Sequence, residues 1–173
     1  MSNARAANLL GALVVALHDE LETATTEAAD HGSACPAALT TILGEPGLSI
    51  EQLRQILGLS HSGTVRLLDG LEREGSVERR AGRDARSVAL QLTAQGKRRA
   101  RAVLDARQQT LDPALAALTP AERAQLVRLT EKLLGRLTRD RRHSDHICRL
   151  CDLSVCPDAT CPVGCAAQAA EQA

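Results

Sequence analysis

The chain has 173 residues, 21 of them basic and 21 acidic, so its formal net charge is zero, and 44% of its residues are hydrophobic. This length suffices for one domain with a core; no apolar run is typical of a membrane helix or signal peptide, so we expect a cytoplasmic protein. The absence of Phe, Trp and Tyr excludes base-stacking platforms and a catalytic tyrosine, and leaves binding in the grooves of duplex DNA possible.

The charge is unevenly distributed along the chain. Residues 1–72 carry 3 basic and 9 acidic side chains, whereas residues 73–107 carry 10 basic and 4 acidic ones. A local basic zone is typical of a protein that binds a polyanion, although a solvated charged face has the same composition.

The first predicted element is a helix at residues 5–30, in which Leu and Val recur at spacings of three and four. Such an apolar stripe packs either into a core or against a second copy in a dimer. A short apolar segment, residues 37–43, then leads into a turn at residues 44–47.

Two short helices follow, at residues 50–57 and 60–74. Ser49 and Ser60 are suited to cap their first turns, and a glycine ends each helix. A turn of about three residues between two helices is typical of a helix-turn-helix.

The second of these helices has a small, polar and partly basic outer face. Such a face suits a major groove, where side chains must reach base edges, although an ordinary solvated face looks the same. The DNA-contacting residues that we assign to this helix and its cap are Ser60, His61, Ser62, Thr64, Arg66 and Arg73.

A β-hairpin is predicted next, with strands at Val77–Arg80 and Ser87–Leu92 and a turn-rich loop between them. A hairpin directly after a helix-turn-helix is a wing, and arginines at its tip can enter the minor groove or pair with phosphates. Four arginines lie around the predicted tip, and we assign DNA contacts to the last two of them: Arg79, Arg80, Arg83 and Arg86.

The sequence resembles the MarR family of regulators over roughly residues 35–140, in the segments LSIEQLRQILGLSHSGTVRLLDGLEREGSVERR and GRDARSVALQLTAQGKR. The motif consists of Asp84 and Arg86, then an alternating strand ending in Leu-Thr-x-x-Gly at residues 92–96. The resemblance implies that helix 60–74 enters the major groove, that Arg86 approaches the minor groove and that Asp84 helps to hold the wing. Gly63 departs from a good recognition helix at a cost of about 1 kcal/mol, and the operator sequence stays unpredicted.

Two further helices are predicted after the wing. Thr93 caps the first, which we expect Asp112-Pro113 to interrupt, and Thr119-Pro120 opens the second. The leucines expected on the buried face of this last helix are Leu126, Leu129, Leu133, Leu134 and Leu137. The resemblance implies that the first helix and these last two interlock between subunits, giving a homodimer on a pseudo-palindromic operator.

Five of the six cysteines lie between residues 148 and 165. Such density in an intracellular protein favours metal ligation over structural disulfides. Spacers of two, four and four residues place four thiolates in one short loop, and Cys165 is a spare. His143 and His146 are substitutes or simply solvated. The predicted ligands are Cys148, Cys151, Cys156 and Cys161.

The compact spacing, and a proline after two of the cysteines, favour an iron–sulfur cluster (4Fe-4S or 2Fe-2S). A structural zinc is the alternative, followed by a thiol–disulfide switch. Cys35 stands alone before a proline. We interpret it as a small, half-buried residue; a peroxide-sensing thiol and a contact with a partner's cluster are the other possibilities.

The sequence therefore predicts a mainly α fold, a winged helix-turn-helix with a helical dimerisation region, divided into residues 1–34, 35–93, 94–142 and 143–173. The favoured function is a repressor whose cluster reports redox state, iron or a reactive gas by changing the packing at the end of the last dimer helix. A small-molecule-responsive repressor with a structural zinc is the alternative. No nucleophile–base motif, phosphate loop or carboxylate pair indicates an enzyme, and a pure protein-interaction module leaves the wing arginines unexplained.

Overall fold

The computed structural model describes residues 3–30, 32, 34–82, 88–156 and 160–172. These residues form eight α-helices and a two-stranded antiparallel sheet, which agrees with the predicted winged-helix architecture. In chain order, the elements are α1 (Asn3–Ala29), α2 (Cys35–Gly44), α3 (Ile50–Leu57), α4 (His61–Arg73), β1 (Val77–Ala81), β2 (Val88–Leu92), α5 (Ala94–Ala116), α6 (Pro120–Leu137), α7 (Arg141–Cys148) and α8 (Pro162–Glu171). No helix among the described residues is long and apolar enough to cross a membrane.

The core lies among α2, α3, α4, the hairpin and the first half of α5, which together we call the winged-helix body. Its interior is aliphatic, as the lack of aromatic residues requires, and each fully buried Leu, Ile or Val contributes roughly 1.5–3 kcal/mol. The largest of these buried side chains are Leu39, Ile42, Leu53, Leu68, Leu71, Val77, Leu90 and Val103.

Local capping fixes the two helices of the helix-turn-helix. Ser49 and Gln52 form a reciprocal capping box at the start of α3, and the Ser60 hydroxyl accepts from the backbone N–H of Gly63 at the start of α4 (3.1 Å). Gly58 ends α3 in the left-handed conformation, φ +68°, which glycine adopts without steric cost. The predicted boundaries of both helices are thereby reproduced to within a residue or two.

The Leu-Thr-x-x-Gly motif joins the wing to α5. The Thr93 hydroxyl donates to the carbonyl of Gly75 (2.5 Å) and accepts from the backbone N–H of Gly96 (3.1 Å). A Cβ atom on Gly96 would lie 1.9 Å from the carbonyl oxygen of Ser76, so only glycine permits this close approach. The motif thus sets where the hairpin ends and the long helix begins.

Helix α5 continues through Pro113 to Ala116, so the predicted interruption at Asp112-Pro113 is wrong. Proline has a helical φ and removes only one N–H donor, so a last turn can still form around it. Gln108 supports this turn because its side-chain amide donates to the Asp112 carboxylate (2.6 Å).

The apolar stripes of α1 and α6, which we call the arms, face outward in the single chain. None of the α6 side chains, every one of which belongs to the described residues, is buried. The leucine face predicted to be buried on α6 is therefore not covered by the described residues of a single chain, and its burial between two subunits stays a prediction. The large apolar side chains left exposed on the arms are Leu9, Leu10, Leu13, Val14, Val15, Leu126, Val127, Leu129, Leu133 and Leu137.

The cysteine-rich end of the chain packs onto the rest of the protein. Helix α7 lies against α3, and α8 lies against α6 and α7. The Thr40 hydroxyl on α2 donates to the carbonyl of Arg149 just after α7 (2.6 Å). Gly44 makes room for Leu153, whose Cδ1 would lie 2.6 Å from a Cβ at that position. The cysteine loop is thereby held against the C-terminal end of α2.

Candidate DNA-binding surface and cysteine cluster

The outer face of α4 presents the residues that the sequence assigns to DNA. The side chains of His61, Ser62, Arg66 and Arg73 are exposed, and the Ser60 hydroxyl is already engaged as the helix cap. The face is narrow and unobstructed, since space around Gly70 is open to a distance of 4 Å from a Cβ position. It can therefore approach a groove edge closely.

Thr64 does not belong to this face. Its side chain is fully buried, and its hydroxyl donates to the carbonyl of Ser60 (3.0 Å). The assignment of Thr64 to DNA contact is wrong, because the helical period turns this position toward the core. Its role is to fix the first turn of α4.

Arg79 ties the hairpin to α4. From β1, its guanidinium donates to the carboxylates of Asp69 (2.6 Å) and Glu72 (2.7 Å) on α4. The sequence groups Arg79 with the arginines around the wing tip, but these ion pairs hold its side chain against α4 instead. Arg80, further along β1, is exposed and pairs with Glu78 (2.6 Å). The predicted contacts Arg83 and Arg86, and Asp84, lie outside the described residues.

Arg99 on α5 is a second connection that the sequence analysis missed. Its guanidinium donates to the Glu74 carboxylate (2.8 Å) and the Ser76 hydroxyl (2.7 Å), and also to the carbonyl of Ala29 at the end of α1. It therefore links α1 to the end of α4. The only sequence signal was a basic residue one turn after Gly96, which does not reveal partners so distant in the chain.

The four predicted ligands Cys148, Cys151, Cys156 and Cys161 line one cavity of about 40 Å³. Its other walls come from the helix-turn-helix and its approach, including Thr40 on α2 and Ile56 on α3, and from α7 itself. The fold therefore brings to one place the cysteines that the spacing groups together.

The thiols interact directly. Hydrogen bonding to Cys151 and Cys161, together with burial, raises the pKa of Cys148 far above its usual value. The hydrogen bond from Cys148 lowers the pKa of Cys151 to about 6, with a smaller contribution from the Arg107 guanidinium. Within this pair, Cys151 is the sulfur favoured as the thiolate, which is the form that binds metals.

The donor set suits a thiophilic centre, although its geometry is not that of a closed site. Within the described residues, no group of three or more His, Cys, Asp or Glu side chains is arranged around one metal position. The four cysteines nevertheless line one cavity, and thiolates are the ligands of structural zinc and of iron–sulfur clusters. His146 points elsewhere, since its Nδ1 bonds to the carbonyl oxygen of Ile56 (2.7 Å), and the His143 Nδ1 accepts from Arg139 (3.3 Å).

The other two cysteines differ from the cluster and from each other. Cys35 is fully buried rather than half-buried, and burial raises the pKa of its thiol to about 11. Cys165 is exposed on α8, one turn after Cys161, to whose carbonyl its backbone N–H donates (2.9 Å).

Comparisons with known proteins agree with this geometry. Residues 34–87 match the model of the MarR family. The transcriptional repressor MprA of Escherichia coli K12 is 38% identical over 103 residues, which make up 58% of this chain and 58% of MprA. The chain thus spans well under two thirds of the curated relative that it matches.

Solved structures share the fold over a larger part of the chain. A MarR family protein from Bacillus stearothermophilus is 26% identical and has a TM-score of 0.67, with 79% of this chain and 99% of that chain covered. MepR, a transcription regulator of the Staphylococcus aureus multidrug efflux pump MepA, is 17% identical with a TM-score of 0.61, and 80% of this chain and 100% of MepR are covered. The family model ends well before the cysteine cluster, which has to be interpreted from its own residues.

Proposed function

We propose that this chain, for which the comparisons support a MarR-family winged-helix regulator, represses transcription as a homodimer on a pseudo-palindromic DNA site. We further propose that its four-cysteine site holds an iron–sulfur cluster whose state changes DNA affinity. Members of this family are transcription regulators and not enzymes. The observation that carries the proposal is the exposed polar face of α4 beside a hairpin that Arg79 anchors to the same helix.

The proposed reading of DNA divides the work between α4 and the wing. Ser62 and Arg66, near the start of α4, meet base edges in the major groove, where an arginine discriminates guanine by two hydrogen bonds. Arg73, at the end of the helix, meets phosphate. Arg83 and Arg86 on the wing meet phosphate or the minor groove. Arg79 takes no part in the contact and fixes the angle between the wing and α4.

The proposed dimer covers the arms. Contiguous exposed leucines on α1 and α6 are unfavourable in water and are typical of a surface that a partner buries. A two-fold dimer presents two copies of α4 to the same face of the duplex, about one helical turn, roughly 34 Å, apart. This geometry is the reason for expecting a pseudo-palindromic operator.

In the proposed metal centre, Cys148, Cys151, Cys156 and Cys161 supply four thiolates, and Cys165 is not needed. A cluster supplies electron transfer and reactivity toward oxygen or small gases when bound. The protein supplies positive charge, since Arg107 acts electrostatically on Cys151 and the Arg149 side chain lines the same cavity. These cations offset part of the negative charge that four thiolates bring.

A structural zinc combined with a small-molecule response is the second candidate. The volume of the thiol-lined cavity, about 40 Å³, fits a single metal ion better than a cluster of several iron atoms. An adjoining cleft, which shares Thr40, Cys151 and Leu153 with that cavity, lies between α2, α5 and the cysteine loop. Its other lining residues include Leu43, Arg101 and Leu104. It is suited to an apolar molecule with an anionic group.

DNA binding is tested by titrating operator and non-operator duplexes with single variants at several salt concentrations. Arg66→Ala should reduce the free energy of operator binding by about 1–3 kcal/mol and relax the base preference at one position. Arg86→Ala should weaken binding to all duplexes and lower the slope of log affinity against log salt concentration by about one. Arg128→Ala on α6 is the matched control, because it removes an exposed arginine far from α4 in the sequence. Unchanged DNA affinity and unchanged sequence preference in both test variants would contradict the proposal that these residues contact DNA.

The metal centre is tested by its colour and metal content. With no Trp or Tyr in the chain, strong near-ultraviolet or visible absorption in anaerobically purified protein has to come from a cofactor. Brown protein with stoichiometric iron and sulfide supports the cluster, and colourless protein with zinc supports the second candidate. Cys151→Ser should remove the cofactor, because a four-thiolate site loses a charged ligand, and Cys165→Ser should not. Equal operator affinity for loaded, oxidised and Cys151→Ser protein would contradict the sensor.

A further inference from the structure

We propose that His146 is a positioning residue that transmits the state of the cysteine cluster to the helix-turn-helix, by capping the C-terminal end of α3. This inference rests on the proposed function. It concerns regulation by the same cysteine site, and it couples that site to the helix-turn-helix within one chain.

The first step is a hydrogen bond across the domain. The Nδ1 of His146 on α7 lies 2.7 Å from the carbonyl oxygen of Ile56 on α3. A carbonyl only accepts, so Nδ1 carries the proton and donates. The two residues are 90 positions apart in the chain, so this contact joins the cysteine-rich end directly to the first helix of the helix-turn-helix.

The second step is the position of the accepting carbonyl. The last carbonyls of a helix have no partner in the following turn and need a donor from elsewhere. At the end of α3, the backbone N–H of Gly58 donates to the carbonyl of Gln55 (3.3 Å), and the backbone N–H of Leu59 donates to the carbonyl of Arg54 (3.2 Å). His146 donates to the next carbonyl, that of Ile56, and thereby extends the cap by one hydrogen bond.

The third step is the location of this cap at the pivot between the two helices. The His146 ring reaches within 3.9 Å of the Cβ position of Gly58, the left-handed residue of the turn between α3 and α4. The direction of α4 relative to α3 depends on this turn. A side chain that fixes the turn therefore fixes the angle at which the recognition helix is presented.

The fourth step is the connection from His146 to the cysteines. Cys148, the last residue of α7, lies two positions further on, and its carbonyl accepts from the backbone N–H of Cys151 (2.8 Å). The Arg149 guanidinium donates to the carbonyl of His146 (2.6 Å), and the Arg149 carbonyl accepts from Thr40 on α2 (2.6 Å). Ligation that fixes Cys148 and Cys151 thus fixes the last turn of α7 and the ring of His146, and loss of the ligand frees them together.

A second route exists from the cluster to the arms, since α8 follows Cys161 and packs against α6. This second route is the one that the sequence predicts, with coupling at the end of the last dimer helix. The two routes make different predictions for His146, because only the route through α3 needs its side chain.

The test compares four proteins: wild type, His146→Ala, His146→Asn and His143→Ala. Asparagine keeps an amide N–H near the place of Nδ1 and serves as the conservative variant. His143 lies on the same helix and serves as the matched control. Each protein is measured, with and without Cys151→Ser, for metal content, for backbone amide exchange at Gly58 and Leu59, and for operator affinity at one salt concentration.

His146→Ala should keep its metal, and its backbone amides at Gly58 and Leu59 should exchange faster than in wild type. The ratio of operator affinities between metal-loaded and metal-free protein, usually about 5–150-fold for such coupling, should fall to about one. His146→Asn should restore much of both readouts, and His143→Ala should behave as wild type. Wild-type exchange and an unchanged ratio in His146→Ala would overturn the inference and favour the route through α8. A ratio of one already in wild type would overturn the sensor and the relay together, while the exchange at Gly58 and Leu59 would still decide whether His146 caps α3.

Discussion

The winged-helix body and the arms are built from the same few aliphatic residue types, yet their apolar side chains differ in solvent exposure. In the body, leucines such as Leu53, Leu68 and Leu90 are completely buried. In the arms, the corresponding residues are open: Leu13 on α1 and Leu133 on α6 are both 48% exposed. The periodicity of leucine is equally regular in the two regions.

The difference shows that an apolar stripe identifies a buried face without identifying what buries it. The body closes its core within one chain because helices and hairpin surround a common centre. The arms are long helices at the two edges of that body, and their stripes lack a covering element among the described residues. If the proposed dimer forms, we expect the stability of the arms to depend on the second copy and the stability of the body not to.

The largest expected effect comes from charging the arms. Leu129→Asp with Leu133→Asp should convert the proposed dimer to monomer, because two carboxylates cannot be buried unpaired in a seam. Operator affinity should fall by a factor on the order of 100 or more, since the two half-sites are then bound independently. Sedimentation velocity at micromolar concentration and an operator titration measure the two effects.

The control for this prediction is Ala124→Asp, which adds a charge to the opposite side of α6. It should remain dimeric. A double variant that still sediments as a dimer with unchanged DNA affinity would show that α6 is not the seam.

The next effect is a cavity in the body. Leu68→Ala removes a fully buried side chain and should lower the free energy of unfolding by about 2–5 kcal/mol. Unfolding in urea, followed by circular dichroism at several protein concentrations, measures this loss, which should not vary with concentration. Leu13→Ala on α1 is the matched comparison, and its loss should grow as the protein is diluted. If both losses behaved alike, the division into a self-sufficient body and dependent arms would be wrong.

The sequence predicts most of this architecture because its signals are local. Ser49, Ser60, Thr93 and Thr119 each cap a helix where the sequence indicates, and all four hydroxyls accept a backbone N–H three residues on. Such contacts are decided within one turn, so residue type and spacing suffice. The grouping of the cysteines was predictable for the same reason.

The contacts between distant segments were not predictable. Arg79 looks like a wing-tip arginine until Asp69 and Glu72 are known to face it. His146 looks like a solvated side chain until α7 is placed against α3. Thr64 is a small polar residue on α4, although its helical position places it beside the core. The contacts of Arg79 and His146 depend on how elements pack, which the order of residues along the chain does not state.

A smaller effect is expected from the brace between the wing and the body. Arg79→Met keeps the aliphatic stem but removes the ion pairs to Asp69 and Glu72, which are partly exposed and should contribute no more than about 1 kcal/mol each. Stability should therefore change little, while affinity for non-operator and operator duplexes falls together as the wing loses its fixed angle. The measurement pairs a urea titration with DNA binding, and Arg80→Met, whose pair with Glu78 stays within β1, is the control. Loss of stability without loss of DNA binding would show that the brace serves the fold alone.

The smallest expected effect concerns Cys35, which belongs to the body and whose thiol should be shielded from solvent reagents. Burial raises the pKa of this thiol from 9.0 to about 11, so the thiolate fraction at pH 8 is about 100-fold lower than that of an unperturbed cysteine. Since the thiolate is the nucleophile, Cys35 should resist alkylation and dilute peroxide at pH 8, while exposed Cys165 reacts. Raising the pH through 9 toward 11 should increase labelling of Cys35 only as its own thiolate forms. Peptide mass mapping after timed exposure to iodoacetamide measures both sites in one sample, and guanidinium-unfolded protein shows full labelling of each. Equal rates for Cys35 and Cys165 in folded protein at pH 8 would mean that the body opens at this position, and would return the peroxide-sensing interpretation of Cys35 to consideration.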